Sequence, residues 1–145
     1  MDVFVYGTLT EPDRVADVLD SFVFVGSATL TGLRLVEGRY PTLAPGGETA
    51  GRLLRTDEVS ALDEYERVDE GLYRRVSVPL DASAEYPEEA AVYVGDPDRL
   101  DADATWPEPS GSEARADRAD AFANRVSAYL DRADVRVRLT PRDPV

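Results

Sequence analysis

Val3-Phe4-Val5-Tyr6-Gly7-Thr8-Leu9 is an apolar run that halts at a glycine. The four residues before Gly7 do not alternate, so they read as a strand covered on both faces. Beyond the turn, Thr10 stands where a helix N-cap belongs, with Glu11, Pro12 and Asp13 marking the helix start. Val15, Val18, Leu19 and Phe22 then recur at helical spacing. A strand that ends in glycine and feeds a helix can aim several backbone N–H groups at one spot, where they hold a carboxylate or an oxyanion. Gly7 would let a ligand approach the backbone closely. An ordinary tight turn uses the same residues, and this stretch alone does not separate the two readings.

Working outward, Phe22 to Val25 is a second strand-like run, and Leu30 to Val36 a third that Gly32 breaks. Arg39-Tyr40-Pro41 and Pro45-Gly46-Gly47-Glu48 carry turn signals, and Ala50 to Arg55 resumes as a strand. Tyr73 to Leu80 and Ala90 to Val94 read as strands. Asp96 to Gly111 is rich in proline and acid and reads as a loop. Ser112 caps the longest helix, about Glu113 to Arg132, with Phe122, Val126 and Tyr129 on one core-facing stripe. Val135 to Leu139 alternates and adds a last edge strand. No internal repeat or linker interrupts residues 1–145, which read as one domain.

The segment Asp57 to Val68 carries a conflict. Thr56, Asp57 and Glu58 open a helix, with acids where the dipole favours them. At 3.6 residues per turn, Glu66 falls between Val59 and Leu62 on the inward stripe, and Asp63 at its margin. A carboxylate within an apolar stripe is costly unless it is paired or borders a cavity. Burial would raise its pKa and make it a proton carrier near neutral pH. The alternatives are a buried arginine partner or a helix that frays before Glu66.

Composition narrows the chemistry. The chain has 145 residues, 29 acidic against 16 basic, and a formal charge of -13. That charge disfavours nucleic acid and anionic membrane surfaces as partners, and no apolar run approaches the ~20 residues of a membrane span. The segment Met1-Asp2-Val3 shows no basic leader, so the expected compartment is the cytoplasm. There is no Cys, His or Lys; every basic residue is Arg. A thiol nucleophile, a disulfide, a serine–histidine triad and a lysine Schiff base are therefore excluded. An acid/base residue would be Asp, Glu or Tyr, and no metal site is indicated. Lysine depletion beside an acid excess fits adaptation to high salt; a GC-rich genome gives the same bias.

Together the motifs are specific. Tyr6-Gly7-Thr8-Leu9 after its strand resembles the tyrosine–glycine loop of the gamma-glutamylcyclotransferase-like superfamily. Leu62-Asp63-Glu64-Tyr65-Glu66 resembles that superfamily's Leu-Asp-x-x-Glu segment, whose last Glu is catalytic. Gly71-Leu72-Tyr73-Arg74 follows at matching spacing, and Gly26, Gly32 and Tyr40-Pro41 fall where the superfamily has Gly, Gly and Tyr-Pro. The resemblance covers Val3 to about Val94. It implies an α+β fold, a compact mixed β-barrel flanked by helices, with one pocket. It implies Glu66 as the catalytic residue, Tyr6, Gly7, Thr8 and Leu9 as the loop that holds a glutamyl group, and Tyr73 as the pocket tyrosine; Tyr40 is a further candidate for the pocket lining, against plain core packing. Many relatives carry Gly after the catalytic Glu where this chain has Arg67, which changes the pocket rim and bears on substrate choice.

The implied reaction is a cofactor-free cyclisation of a small gamma-glutamyl compound to 5-oxoproline, with release of an amine or amino acid. A binding domain that retains fold and pocket without catalysis is the alternative, favoured if Glu66 is tied to an arginine and closed off from solvent. An unrelated α+β interaction module would require the Gly7 turn and Glu66 to lie far apart. Arg34, Arg39 and Arg74 are candidate carboxylate clamps, against ordinary surface ion pairing. Trp106 is either a lid or simple packing, and Asp96 to Asp103 either a weak cation site or a solvated turn.

Overall fold

The computed structural model describes residues 2–81, 88–104, 106 and 118–139. Six strands form a closed barrel in the order β1-β3-β2-β6-β4-β5. They are β1 (Asp2–Val5), β2 (Val23–Val36), β3 (Thr42–Arg55), β4 (Tyr73–Asp81), β5 (Glu89–Gly95) and β6 (Arg136–Leu139). The pairs β1–β5 and β4–β6 are parallel and the rest antiparallel, so the barrel is mixed. Four α-helices accompany it among the described residues: α1 (Pro12–Val18), α2 (Val59–Tyr65), α3 (Pro97–Leu100) and α4 (Arg118–Arg132). The α+β barrel expected from the sequence motifs is thus the observed fold.

All four residues of β1 are buried, and the strand serves two cores. Phe4 packs with Leu30, Leu33, Leu43, Leu53, Val92 and Val137. Its neighbours Val3 and Val5 face the other way, toward Val15, Leu19, Leu54 and Leu62, where α1 and α2 cover the barrel. This double burial is why the strand does not alternate in sequence. Asp2 opens it, and its buried carboxylate accepts two bonds from Arg55, at 2.7 and 3.0 Å.

Several sequence expectations change. The two separate strands expected within 22–36 are one strand, β2; its register shifts between Phe24 and Gly26 and between Thr31 and Leu33. Gly26 and Gly32 sit at irregularities, not at strand ends. Pro45-Gly46-Gly47-Glu48 is not a turn but lies inside β3, opposite the second shift. Gly46 and Gly47 take positive φ there, which lets the strand bulge and continue. The Tyr129 hydroxyl closes this bulge: it donates to the Gly32 carbonyl at 2.7 Å and accepts the Gly46 N–H at 3.1 Å. Thr10 does not cap α1. The cap position belongs to Glu11, and the Thr10 hydroxyl donates to the Gly7 carbonyl at 2.7 Å, within a 3-10 turn over Gly7–Thr10.

The segment expected as a loop after Asp96 contains α3, anchored by buried Leu100. β6 is no edge strand: it pairs with β2 and β4 and closes the barrel. Trp106 packs against Phe122 and Tyr129 and is core, not a lid. The expected start of the last helix at Ser112 lies outside the described residues.

Candidate active site

A cavity of about 340 Å³ opens where β1, α2, the β2–β3 connection and the start of β4 meet. Its lining includes Tyr6, Gly7 and Leu9 from the first turn, Tyr40 and Pro41 from the β2–β3 connection, Glu66 and Arg67 from the end of α2, and Tyr73 and Tyr93 from β4 and β5. Five of the residues singled out in the sequence therefore share one cavity with Glu66. Thr8 continues the turn between Gly7 and Leu9, with its side chain outside the described residues.

The turn is built by its neighbours. Gly7 has φ 67°, a left-handed conformation that glycine adopts without strain. Leu9 is buried in the α1–α2 core and pulls the turn down. Arg52 from β3 donates to the Thr10 carbonyl at 2.9 Å, while its guanidinium lies 3.8 Å from the centre of the Phe24 ring. The N–H groups that open a 3-10 turn have no partner inside it.

Glu66 sits at the C-cap of α2, which ends sooner than the expected Val68. Its N–H still bonds to the Leu62 carbonyl at 2.9 Å, so Glu66 keeps the helical phase that turns it inward beside buried Leu62. The chain then reverses at Arg67, whose φ of 54° is left-handed. Such a conformation costs a non-glycine residue about 1–2 kcal/mol. It is held here because the Arg67 carbonyl accepts the N–H groups of Glu70 and Leu72, at 3.1 and 3.2 Å. This reversal replaces the last expected turn of helix and exposes Arg67, while Glu66 stays partly buried.

Among the described residues no hydrogen bond or ion pair reaches the Glu66 carboxylate. Arg67 instead lies 3.7 Å from exposed Glu70. Burial alone raises the Glu66 pKa from 4.5 to about 7. The three inner tyrosines behave differently. Burial raises all of them, most of all ahead of their neighbours' charges: Tyr6 beside Tyr73 and Glu66, Tyr73 beside Glu66, and Tyr93 through its bond to Asp63. Each phenol proton is committed to the protein. Tyr6 donates to the Tyr93 carbonyl, Tyr73 to the Pro41 carbonyl at 2.6 Å, and Tyr93 to Asp63 at 2.7 Å. The tyrosines are thus fixed walls, and Glu66 is the lining group poised to exchange a proton near neutral pH.

Tyr93 escaped the sequence, and so did the anchoring role of Asp63, which the sequence places at the margin of the inward stripe. Tyr93 lies in an apolar strand run and reads as core; its signal was the hydroxyl, which needs a partner when buried. Asp63 shares α2 with Glu66 and is gripped by Tyr93 and by Arg75 at 3.0 Å, which fixes the helix against β4 and β5. Arg34, Arg39 and Arg74 do not line the cavity; Arg67 does. No group of three or more acidic residues could hold a metal ion among the described residues, and no described helix is long and apolar enough to cross a membrane.

The closed mixed barrel, with Glu66 and the Tyr6-Gly7 turn lining one cavity, is the arrangement that the resemblance to gamma-glutamylcyclotransferase-like proteins implied. The family described as "Gamma-glutamyl cyclotransferase, AIG2-like" matches residues 3–112, and the chain belongs to it. It is 40% identical over 86 residues to AIG2-like protein A and 40% over 76 residues to AIG2-like protein C, both of Arabidopsis thaliana. These stretches cover 50% and 47% of this chain, and 52% and 44% of the relatives, so the similarity spans about half of each. Among solved structures, a gamma-glutamyl cyclotransferase superposes with a TM-score of 0.55 at 22% identity, covering 66% of each chain. An uncharacterized protein from Homo sapiens gives 0.56 at 24%, also over 66% of each. At such identity these two establish the fold.

Proposed function

We propose that the protein is a cofactor-free cyclotransferase acting on small gamma-glutamyl compounds, with Glu66 as general acid and base. The observation that carries this reading is an unpaired carboxylate, lifted to about 7, in the same cavity as the Gly7 turn. Family membership supports the reaction class.

The substrate supplies its own nucleophile. Its α-amine bonds to the side-chain carbonyl carbon, a five-membered ring closes, and the bond from that carbon to the departing nitrogen breaks. Glu66 takes a proton from the α-ammonium, whose ordinary pKa is near ~8, and a second that the same nitrogen sheds after attack, and passes both in turn to the leaving nitrogen, which departs as an ammonium. No atom is gained or lost: one gamma-glutamyl amide yields 5-oxoproline and one free amine. A carboxylate near neutral pKa serves both transfers and typically contributes about 10²–10⁴-fold. In this reading N–H groups of the turn at Gly7 and Thr8 bind the substrate's charged end or the developing oxyanion, the latter worth ~3 kcal/mol per donor. The walls formed by Tyr6 and Tyr73 fold the substrate toward attack, drawing on the ~7–11 kcal/mol available to well-oriented intramolecular reactions.

An arginine on Glu66 would favour the binding-only alternative, and the guanidinium nearest in sequence lies 3.7 Å from Glu70 instead. The test is a panel of gamma-glutamyl dipeptides and gamma-glutamyl amines assayed for 5-oxoproline at low and high salt. Release from at least one is expected; binding without release from any would favour the alternative.

A further inference from the structure

Arg67 is the cation that lines the cavity, set directly after Glu66. Its backbone is fixed rather than adaptable. The N–H bonds to the Glu64 carbonyl at 3.1 Å, and the carbonyl takes bonds from Glu70 and Leu72. The left-handed φ therefore sets where the side chain leaves the chain. That side chain is 64% exposed, and its ion-pair contact, to an equally exposed Glu70, is long at 3.7 Å. Such a contact is worth little in water and yields readily to a better acceptor. The ion-pair contact of that guanidinium among the described residues is with Glu70, not with the neighbouring Glu66 carboxylate. Tyr40 and Tyr65 line the same cavity and are 57% and 46% exposed, which leaves two half-exposed aromatic rings along it.

The inner and outer parts of the cavity thus differ in chemistry. The inner part has the Gly7 turn, Glu66 and committed tyrosines; the outer part has a guanidinium and two half-exposed rings. We propose that Arg67 is a specificity residue whose guanidinium takes a carboxylate on the departing half of the substrate, with Tyr40 and Tyr65 flanking that half. This rests on the cyclotransferase reading for the reaction and adds which leaving groups the site prefers. A chain of charge -13 repels anionic compounds at long range, so a local cation is what such a leaving group needs at the rim. Arginine meets a carboxylate with two parallel bonds, which a cationic or neutral amine does not offer.

The experiment compares gamma-glutamyl-alanine with gamma-glutamyl-ethylamide, which lacks only the terminal carboxylate. Wild-type protein is expected to favour the first in kcat/KM. In Arg67→Gln the ratio of the two kcat/KM values should fall roughly tenfold, as expected for losing one partly screened charged contact. Arg67→Lys should fall between the two. Calorimetric binding of both compounds to Glu66→Gln protein, with and without Arg67→Gln, reads the same preference without turnover. A ratio unchanged by Arg67→Gln, in turnover or in binding, overturns the assignment. A binding preference that Arg67→Gln removes, with no 5-oxoproline from either compound, overturns the reaction and leaves the subsite standing.

Discussion

Replacing Glu66 by glutamine should make the folded protein more stable at pH 8 while leaving stability at pH 4 nearly unchanged. The native carboxyl holds its proton up to about 7, whereas in the unfolded chain it releases it near 4.5. Between those values the folded state binds more protons than the unfolded one, so stability falls as pH rises through this window. Below about 4.5 both states are protonated and no penalty exists; above about 7 it is complete. Moving a carboxyl from 4.5 to about 7 corresponds to about 3 kcal/mol. Glu66 faces an open cavity where water relaxes part of this cost, so about 1–3 kcal/mol is the expected gain. Glutamine keeps the shape and cannot ionise, so it removes the penalty. Urea unfolding of both proteins at pH 4, 6 and 8 gives the difference directly, and other titrating groups cancel in the comparison. A difference that stays constant across the three pH values would refute the claim that burial destabilises this charge.

Two other substitutions probe the walls. Tyr73→Phe removes the 2.6 Å bond to the Pro41 carbonyl; it should cost about 1 kcal/mol in urea unfolding and raise KM more than it lowers kcat, because it loosens the β2–β3 connection at the cavity. Gly95→Ala places a methyl group 2.9 Å from Thr42 Oγ1 and 3.0 Å from the Tyr73 ring; overpacking there should cost about 1–3 kcal/mol and weaken substrate binding, read by unfolding and by KM.

The parts of the site visible in sequence are those set by local geometry. Helical phase alone turned Glu66 inward, and the observed bond from its N–H to Leu62 preserves that phase although the helix stops one residue earlier. The halt at Gly7 is legible as a turn from the glycine that stops the apolar run; the cavity it shares with Glu66 is what sets it apart from an ordinary tight turn. The hidden parts depend on distant partners. Tyr93 finds Asp63 thirty positions away, across a strand and a helix, and no spacing rule reaches that far. Arg67 falls inside the helix that its opening and spacing predict to about Val68; the reversal is imposed by bonds from beyond the helix, the N–H groups of Glu70 and Leu72 on the Arg67 carbonyl. The proline and glycines of β3 are turn formers, and only pairing with β2 through a bulge carries the strand across them. β6 looked like an edge because four residues cannot reveal that both their sides are paired.

The central claim is that one carboxylate moves the proton while the substrate closes on itself. Single-turnover release of 5-oxoproline from gamma-glutamyl-alanine, followed from pH 5 to 9 in wild-type and Glu66→Gln protein, tests it most directly. The wild-type rate should climb through a pKa near 7, and the variant should lose about 10²–10⁴-fold while still binding substrate. A variant that releases product at the wild-type rate would contradict it.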